Sequence, residues 1–161
     1  MASGELTLTL DEADYKDVQE KLSELTELEK QAVIQKALQE GVKVIATEGK
    51  QTLIATMSKL PDRVRSRQFM AAKRGGSLEK SIGTKVIKKK VKGYAGFGKY
   101  GRHAHLVDTG TVNRWTKTGA FRGKVKGSRF WRTAFETKKN EAMDELKNSI
   151  IKSIETITNN G

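Results

Sequence analysis

The chain has 161 residues, no cysteine, 36% hydrophobic and 6% aromatic residues, and a net charge of +12. That length fits one domain, and the absence of cysteine excludes a disulfide framework and any thiolate metal site. No amino-terminal apolar run resembles a signal peptide, and no stretch approaches the roughly 20 apolar residues of a membrane span, so a soluble protein without a membrane partner is expected.

The alternation ELTLTL at residues 5–10 predicts a half-buried strand, and a short helix follows it, with Asp11 as its cap and Tyr15, Val18 and Leu22 at helical spacing. Strand and helix together occupy residues 1–25. Thr26 with Glu29 three positions on has the form of a capping box, which predicts the start of a long helix. Its apolar stripe runs through Ile34, Leu38, Val42, Ile45, Gly49 and Leu53. Gly41 and Gly49 on or beside that stripe each cost roughly 1 kcal/mol against alanine, so close packing is expected there, with a bend or a functional loosening as the competing explanation. Pro61 ends the helix, because a proline disfavours helical geometry in the residue before it.

Residues 62–76, rich in arginine and closed by a Gly-Gly pair, are expected to be a long mobile loop. The β-branched residues between 81 and 91 predict a strand with lysines on its exposed side, and a second strand is expected over residues 103–108. Between them, GYAGFGKYG at residues 93–101 reads as a hairpin connection or a surface of stacked rings. Residues 110–128 combine glycine and basic side chains with almost no apolar periodicity and are expected to be a second mobile loop. Ser128 is a candidate cap for a last helix carrying Trp131, Phe135, Leu146, Ile150, Ile154 and Ile157. The sum is a single α+β domain: long helices packed on a small antiparallel sheet, a long amphipathic carboxy-terminal helix, and mobile basic loops.

Charge is unevenly spread. Residues 1–62 hold 7 basic and 12 acidic side chains, whereas residues 80–135 hold 15 basic side chains and one acid, Asp108. Such asymmetry favours an anionic partner or head-to-tail association of copies. Lys88, Lys89, Lys90, Lys92, Arg114, Lys117, Arg122, Lys124 and Lys126, interleaved with Tyr94, Phe97, Tyr100, Trp115 and Phe121, are the candidates for facing DNA without reading its sequence. The competing reading is that these cations meet acidic protein surfaces or solvate a strand.

HAHLVDTGT at residues 103–111 invites two catalytic readings. Aspartic-protease chemistry needs two carboxylates sharing a proton, and the chain holds a single Asp-Thr-Gly. A metal site would have to add carboxylates from distant segments to His103 and His105, the only two histidines. No nucleophile-and-base constellation or dinucleotide fingerprint is present, and the glycines at 93, 96 and 98 lack the strand-turn-helix setting of a phosphate loop. No catalytic residue, metal or cofactor is expected.

Three segments carry a resemblance. Gly76, Leu78, Ser81 and Ile82 look like a Gly-x-Leu-x-x-Ser-Ile segment; Leu106, Asp108, Gly110 and Thr111 look like a strand ending in an acidic residue, any residue, then Gly-Thr; Phe130, Trp131 and Ala134 look like an aromatic, alanine-containing opening of a terminal helix. In this order and spacing they resemble the tail-completion family of long-tailed bacteriophages, neck proteins lying between head-completion and tail-tube components. Members usually place proline just before the aromatic that opens the last helix, and here that position is Arg129.

The resemblance implies a non-enzymatic virion protein of the phage neck, made in the host bacterial cytoplasm, that completes the tail and joins it to the head. Its partners would be copies of itself in a ring, six-fold by the resemblance, together with neighbouring neck and tail proteins and genomic DNA. Under this reading Asp108 holds the turn at Gly110 and Thr111 supports it by a hydrogen bond. The alternative is a small basic nucleic-acid-binding protein without sequence specificity.

Overall fold

A computed structural model describes residues 16, 19–20, 22–23, 25–60, 78–87, 91–98 and 101–159. The strand expected at 5–10, the loop expected at 62–76, and Gly76, Lys88, Lys89 and Lys90 lie outside the described residues. The elements in chain order are α1 (Glu27–Ser58), a 3-10 turn (Glu79–Ser81), β1 (Ile82–Ile87), β2 (Lys92–Phe97), α2 (Ala104–Thr109), β3 (Arg114–Trp115), β4 (Phe121–Gly123) and α3 (Phe130–Asn159). The class is α+β, with long helices against a small antiparallel pair of strands, β1–β2, and a separate antiparallel ribbon, β3–β4.

Helix α1 begins where the capping box places it. The Thr26 N–H and hydroxyl both donate to Glu29 Oε2, at 2.9 and 2.6 Å, and the Glu29 N–H returns to Thr26 Oγ1 at 3.4 Å. These bonds occupy backbone donors that a helix start otherwise leaves unpaired. They also hold the Glu29 carboxyl below its ordinary value, with the Thr26 hydroxyl as the larger cause.

By contact the described residues divide into two compact units, each assembled from several chain segments. One contains residues 25–46, 84–87, 91–95 and 137–159. Its core is aliphatic: Leu25, Val33 and Ala37 bury against Leu146, Ile150 and Ile154. The buried face of α1 is set by Val33 and Ala37, so Ile34 and Leu38 of the expected stripe sit only half-buried at its margin. Gly41 explains the rotation, because a Cβ there would stand 3.0 Å from the Ala142 carbonyl oxygen. In the same unit the Gln39 amide donates to Thr84 Oγ1 at 2.7 Å, tying helix to strand.

The other unit contains residues 47–60, 78–83, 96–98 and 101–136. Leu53, Leu78, Ala104, Val107 and Phe130 form its buried core, flanked by Met57, Ile82, Phe97 and Trp131. Phe97 packs edge-on to Phe130 with ring centres 5.9 Å apart and lies 4.9 Å from the Trp131 ring centre. Gly49 sits against that indole, so closely that an added Cβ would overlap the ring.

Three expectations need correcting. Residues 103–108 are not a strand: Ala104–Thr109 is a short helix that buries Ala104 and Val107, one turn apart, and leaves His105 exposed. The competing signal was Gly110, which at φ 86° donates its N–H to the Leu106 carbonyl and stops the helix as a glycine after the last turn does. Nor are residues 93–97 a hairpin connection, for they belong to β2. Gly93 serves close packing instead, since a Cβ there would meet Val42 Cγ1 at 2.8 Å. Finally, residues 110–128 are not structureless but carry the β3–β4 ribbon, its strands too short to show any apolar period.

Candidate functional site

The three segments that carry the sequence resemblance, more than fifty residues apart at the extremes, meet in one of the two units. Leu78 is fully buried in the cluster with Phe130, and Ile82 and Trp131 pack on its flank. Ser81 fixes the approach to β1 twice over: its hydroxyl donates to the Leu78 carbonyl at 2.6 Å, and its own carbonyl accepts from the Gly98 N–H at 2.8 Å. Ala134, fully buried, closes one turn of α3 behind Phe130.

Asp108 is the joint between α2 and α3. Its carboxylate oxygen Oδ1 accepts the Trp131 N–H at 2.8 Å, and its backbone carbonyl accepts the Arg129 N–H at 2.8 Å. The charge therefore stands at the positive end of a 30-residue helix and fills one of its unpaired donors, a cap supplied from outside the helix's own sequence. Ser128, expected to be that cap, instead donates its N–H and its hydroxyl to the Val107 carbonyl, at 2.9 and 3.0 Å. Arg129 takes φ 55°, a left-handed conformation costing a non-glycine residue about 1 kcal/mol. Proline, fixed near φ −65° and lacking an N–H, could neither adopt that conformation nor bond Asp108.

The chain entering and the chain leaving the ribbon are clamped together. Gly110 pairs with Lys126 in a single antiparallel bridge, and its Cα faces the Gly127 backbone so closely that a Cβ would stand 2.7 Å from the Gly127 nitrogen. Thr111 donates its N–H to the Val125 carbonyl and accepts the Val125 N–H on Oγ1, both at 2.9 Å. Both bonds of Thr111 thus run across the ribbon's base to Val125. Leu106 takes no part in the cluster and remains exposed.

Beyond that base the chain forms the β3–β4 ribbon. Trp115 pairs with Phe121 across it, ring centres 4.8 Å apart, and both rings remain more than half exposed. Arg114, Lys117, Arg122, Lys124 and Lys126 are all exposed on the same 19 residues. Lys92 is exposed too, but on β2 in the other unit, so the candidate DNA-facing residues do not form one set.

Neither catalytic reading of residues 103–111 gains support. His103 stands just before α2 while His105 lies in its first turn, and His105 Nδ1 already meets the Arg102 carbonyl oxygen at 2.8 Å. Among the described residues no group of three or more His, Cys, Asp or Glu could hold a metal ion. No described helix is long and apolar enough to cross a membrane.

Sequence reasoning missed Ala104, Val107 and Gly127 as members of this region, whereas Leu53 lay on the expected apolar stripe of α1 and Phe97 stood among the aromatics of the basic centre. No family model, curated protein or solved structure matches the chain.

Proposed function

We propose that the chain is a structural virion protein of the phage neck that completes the tail and joins it to the head as part of a self-assembled ring. The observation that supports this reading is the convergence of the three resembling segments. Leu78, Asp108 and Phe130 lie far apart in sequence yet build one packed junction, from which α3 and the ribbon both start.

The physical chemistry of the surface fits an assembly role. Trp115, Phe121 and Val112 stand exposed, the last at 83%, and a chain with a mean hydropathy of −0.59 has little apolar surface to leave uncovered. A ring of copies would cover some of it. In this role the protein performs no chemistry of its own and needs no cofactor.

The test is electron microscopy of particles assembled without the protein. Filled heads beside separate tails are expected, and complementation should restore joined particles. Normal virions without it would reject the reading. The alternative, a small basic nucleic-acid-binding protein, is favoured by one observation, the ribbon whose five cations are accompanied by no acid. Particles that join normally, combined with salt-sensitive binding to random DNA, would select it instead.

A further inference from the structure

We propose that the β3–β4 ribbon is a binding element for single-stranded nucleic acid, in which bases stack on Trp115 and Phe121 while Arg114, Lys117, Arg122, Lys124 and Lys126 neutralise phosphates. The site stands on the ribbon's own residues and does not rest on the virion role.

Charge is the first argument. Residues 110–128 carry five basic side chains and no acid, and among the described residues no carboxylate forms an ion pair with any of them. Such a run of exposed cations on one short ribbon attracts an anionic partner, the more so at low salt.

Aromatic exposure is the second. Trp115 and Phe121 are 62% and 58% exposed, although a buried cluster elsewhere in the same unit holds Phe97 and Phe130. Packed on each other, the two rings still offer open π-faces, and every base has a face that can stack on them. Arg122 is the extra residue of a bulge between the Arg114–Gly123 and Trp115–Phe121 pairs, and it is exposed beside Phe121. A flexible single strand can lay its bases on the aromatic side and turn its phosphates toward the cations along the edges. A duplex keeps its base faces stacked inside and could use only the charges.

Stiffness is the third. At the tip the Thr116 N–H donates to the Ala120 carbonyl at 2.8 Å, and Thr116 Oγ1 accepts the Ala120 N–H at 2.9 Å. At the base stand the two Thr111–Val125 bonds. The ribbon's backbone and its packed pair of rings are therefore in place before any ligand arrives, which lowers the ordering cost of binding.

An acidic protein surface is the competing partner, and several of the described carboxylates are already engaged within the chain. Glu27, Glu40, Glu79, Glu136 and Glu141 already pair with Lys30, Lys43, Lys50, Arg132 and Lys138, and Glu29 closes the capping box. The acid excess of the chain lies in residues 1–26.

The experiment uses the full chain and a fluorescent oligothymidylate about 15 nucleotides long, read by anisotropy. Saturable binding is expected, weakening roughly 50-fold between about 50 and 200 mM salt if four phosphates are engaged. Trp115→Ala should weaken it about 10-fold, while Trp115→Phe keeps most of the affinity. Arg122→Glu should weaken binding and flatten its salt dependence. Circular dichroism should be unchanged in all three variants, because both side chains are exposed. Four results would overturn the proposal: no saturable binding, equal affinity for a blunt duplex of the same length, no loss in Trp115→Ala, or tighter binding of a peptide copying residues 5–24.

Discussion

The two compact units are held together in different ways. In one, Val33, Ala37, Leu146, Ile150 and Ile154 form an aliphatic interface in which each contact repeats its neighbour. In the other, stability rests on contacts that occur once: an indole on Gly49, a carboxylate on the Trp131 N–H, and two glycine backbones face to face at Gly110 and Gly127. A repeated contact dilutes the effect of any single change, whereas a singular one has no neighbour to share the loss. The resembling segments all fall in the second unit, so sensitivity to substitution should track them.

The largest contrast should come from the cores. Phe130→Ala empties the centre of the aromatic cluster and should cost about 4 kcal/mol in urea unfolding, against about 1 kcal/mol for Ile150→Val in the aliphatic interface. Equal losses would mean the two cores are not distinct in kind. Next is Arg129→Pro, expected to cost about 3 kcal/mol through the lost bond to Asp108 and the forbidden φ. Arg129→Gly should change stability by less than about 1 kcal/mol, because the strain it relieves is offset by the freer unfolded chain. If proline is tolerated, the start of α3 differs from the geometry described.

The same change at two glycines of α1 gives a cleaner comparison. Gly49→Ala must displace the Trp131 ring and should destabilise by about 2 kcal/mol, while Gly41→Ala, whose neighbours need yield only slightly, should be near neutral once the helix propensity gained is counted. A Gly49→Ala penalty that disappears in Trp131→Ala would show that the indole is its cause. Smaller still is Asp108→Ala, about 1 kcal/mol for the lost cap, with Asp108→Asn recovering most of it because the amide oxygen still accepts.

The smallest effect belongs to Glu29. Its folded carboxyl lies below the ordinary value, chiefly through the Thr26 hydroxyl, so its stabilisation is present above the unfolded value and is lost as pH falls through the folded one. The difference between the parent and Glu29→Gln should therefore be greatest near neutrality and vanish in acid. A difference that persists in acid would locate its origin elsewhere.

Elements with strong local signals were legible without coordinates. The capping box placed the start of α1, the β-branched run placed β1, and the three-and-four spacing placed α3, because each signal acts within one turn of helix or one face of a strand. The glycines of α1 were legible as close contacts, but not what they contact. Residues 104–109 misled because a short apolar stretch suits either state, and its choice of helix depends on burying Ala104 and Val107 against partners remote in sequence.

The amino-acid sequence by itself determined the class, the long helices, the uneven charge and the three segments of interest, since composition and short-range periodicity are properties of the chain alone. Only the tertiary structure decided that those segments meet, that Asp108 caps a helix 22 residues downstream, and that Trp115 and Phe121 face each other on a basic ribbon. Those outcomes depend on which distant groups can satisfy a free N–H or fill a space beside a glycine, and no local pattern encodes that.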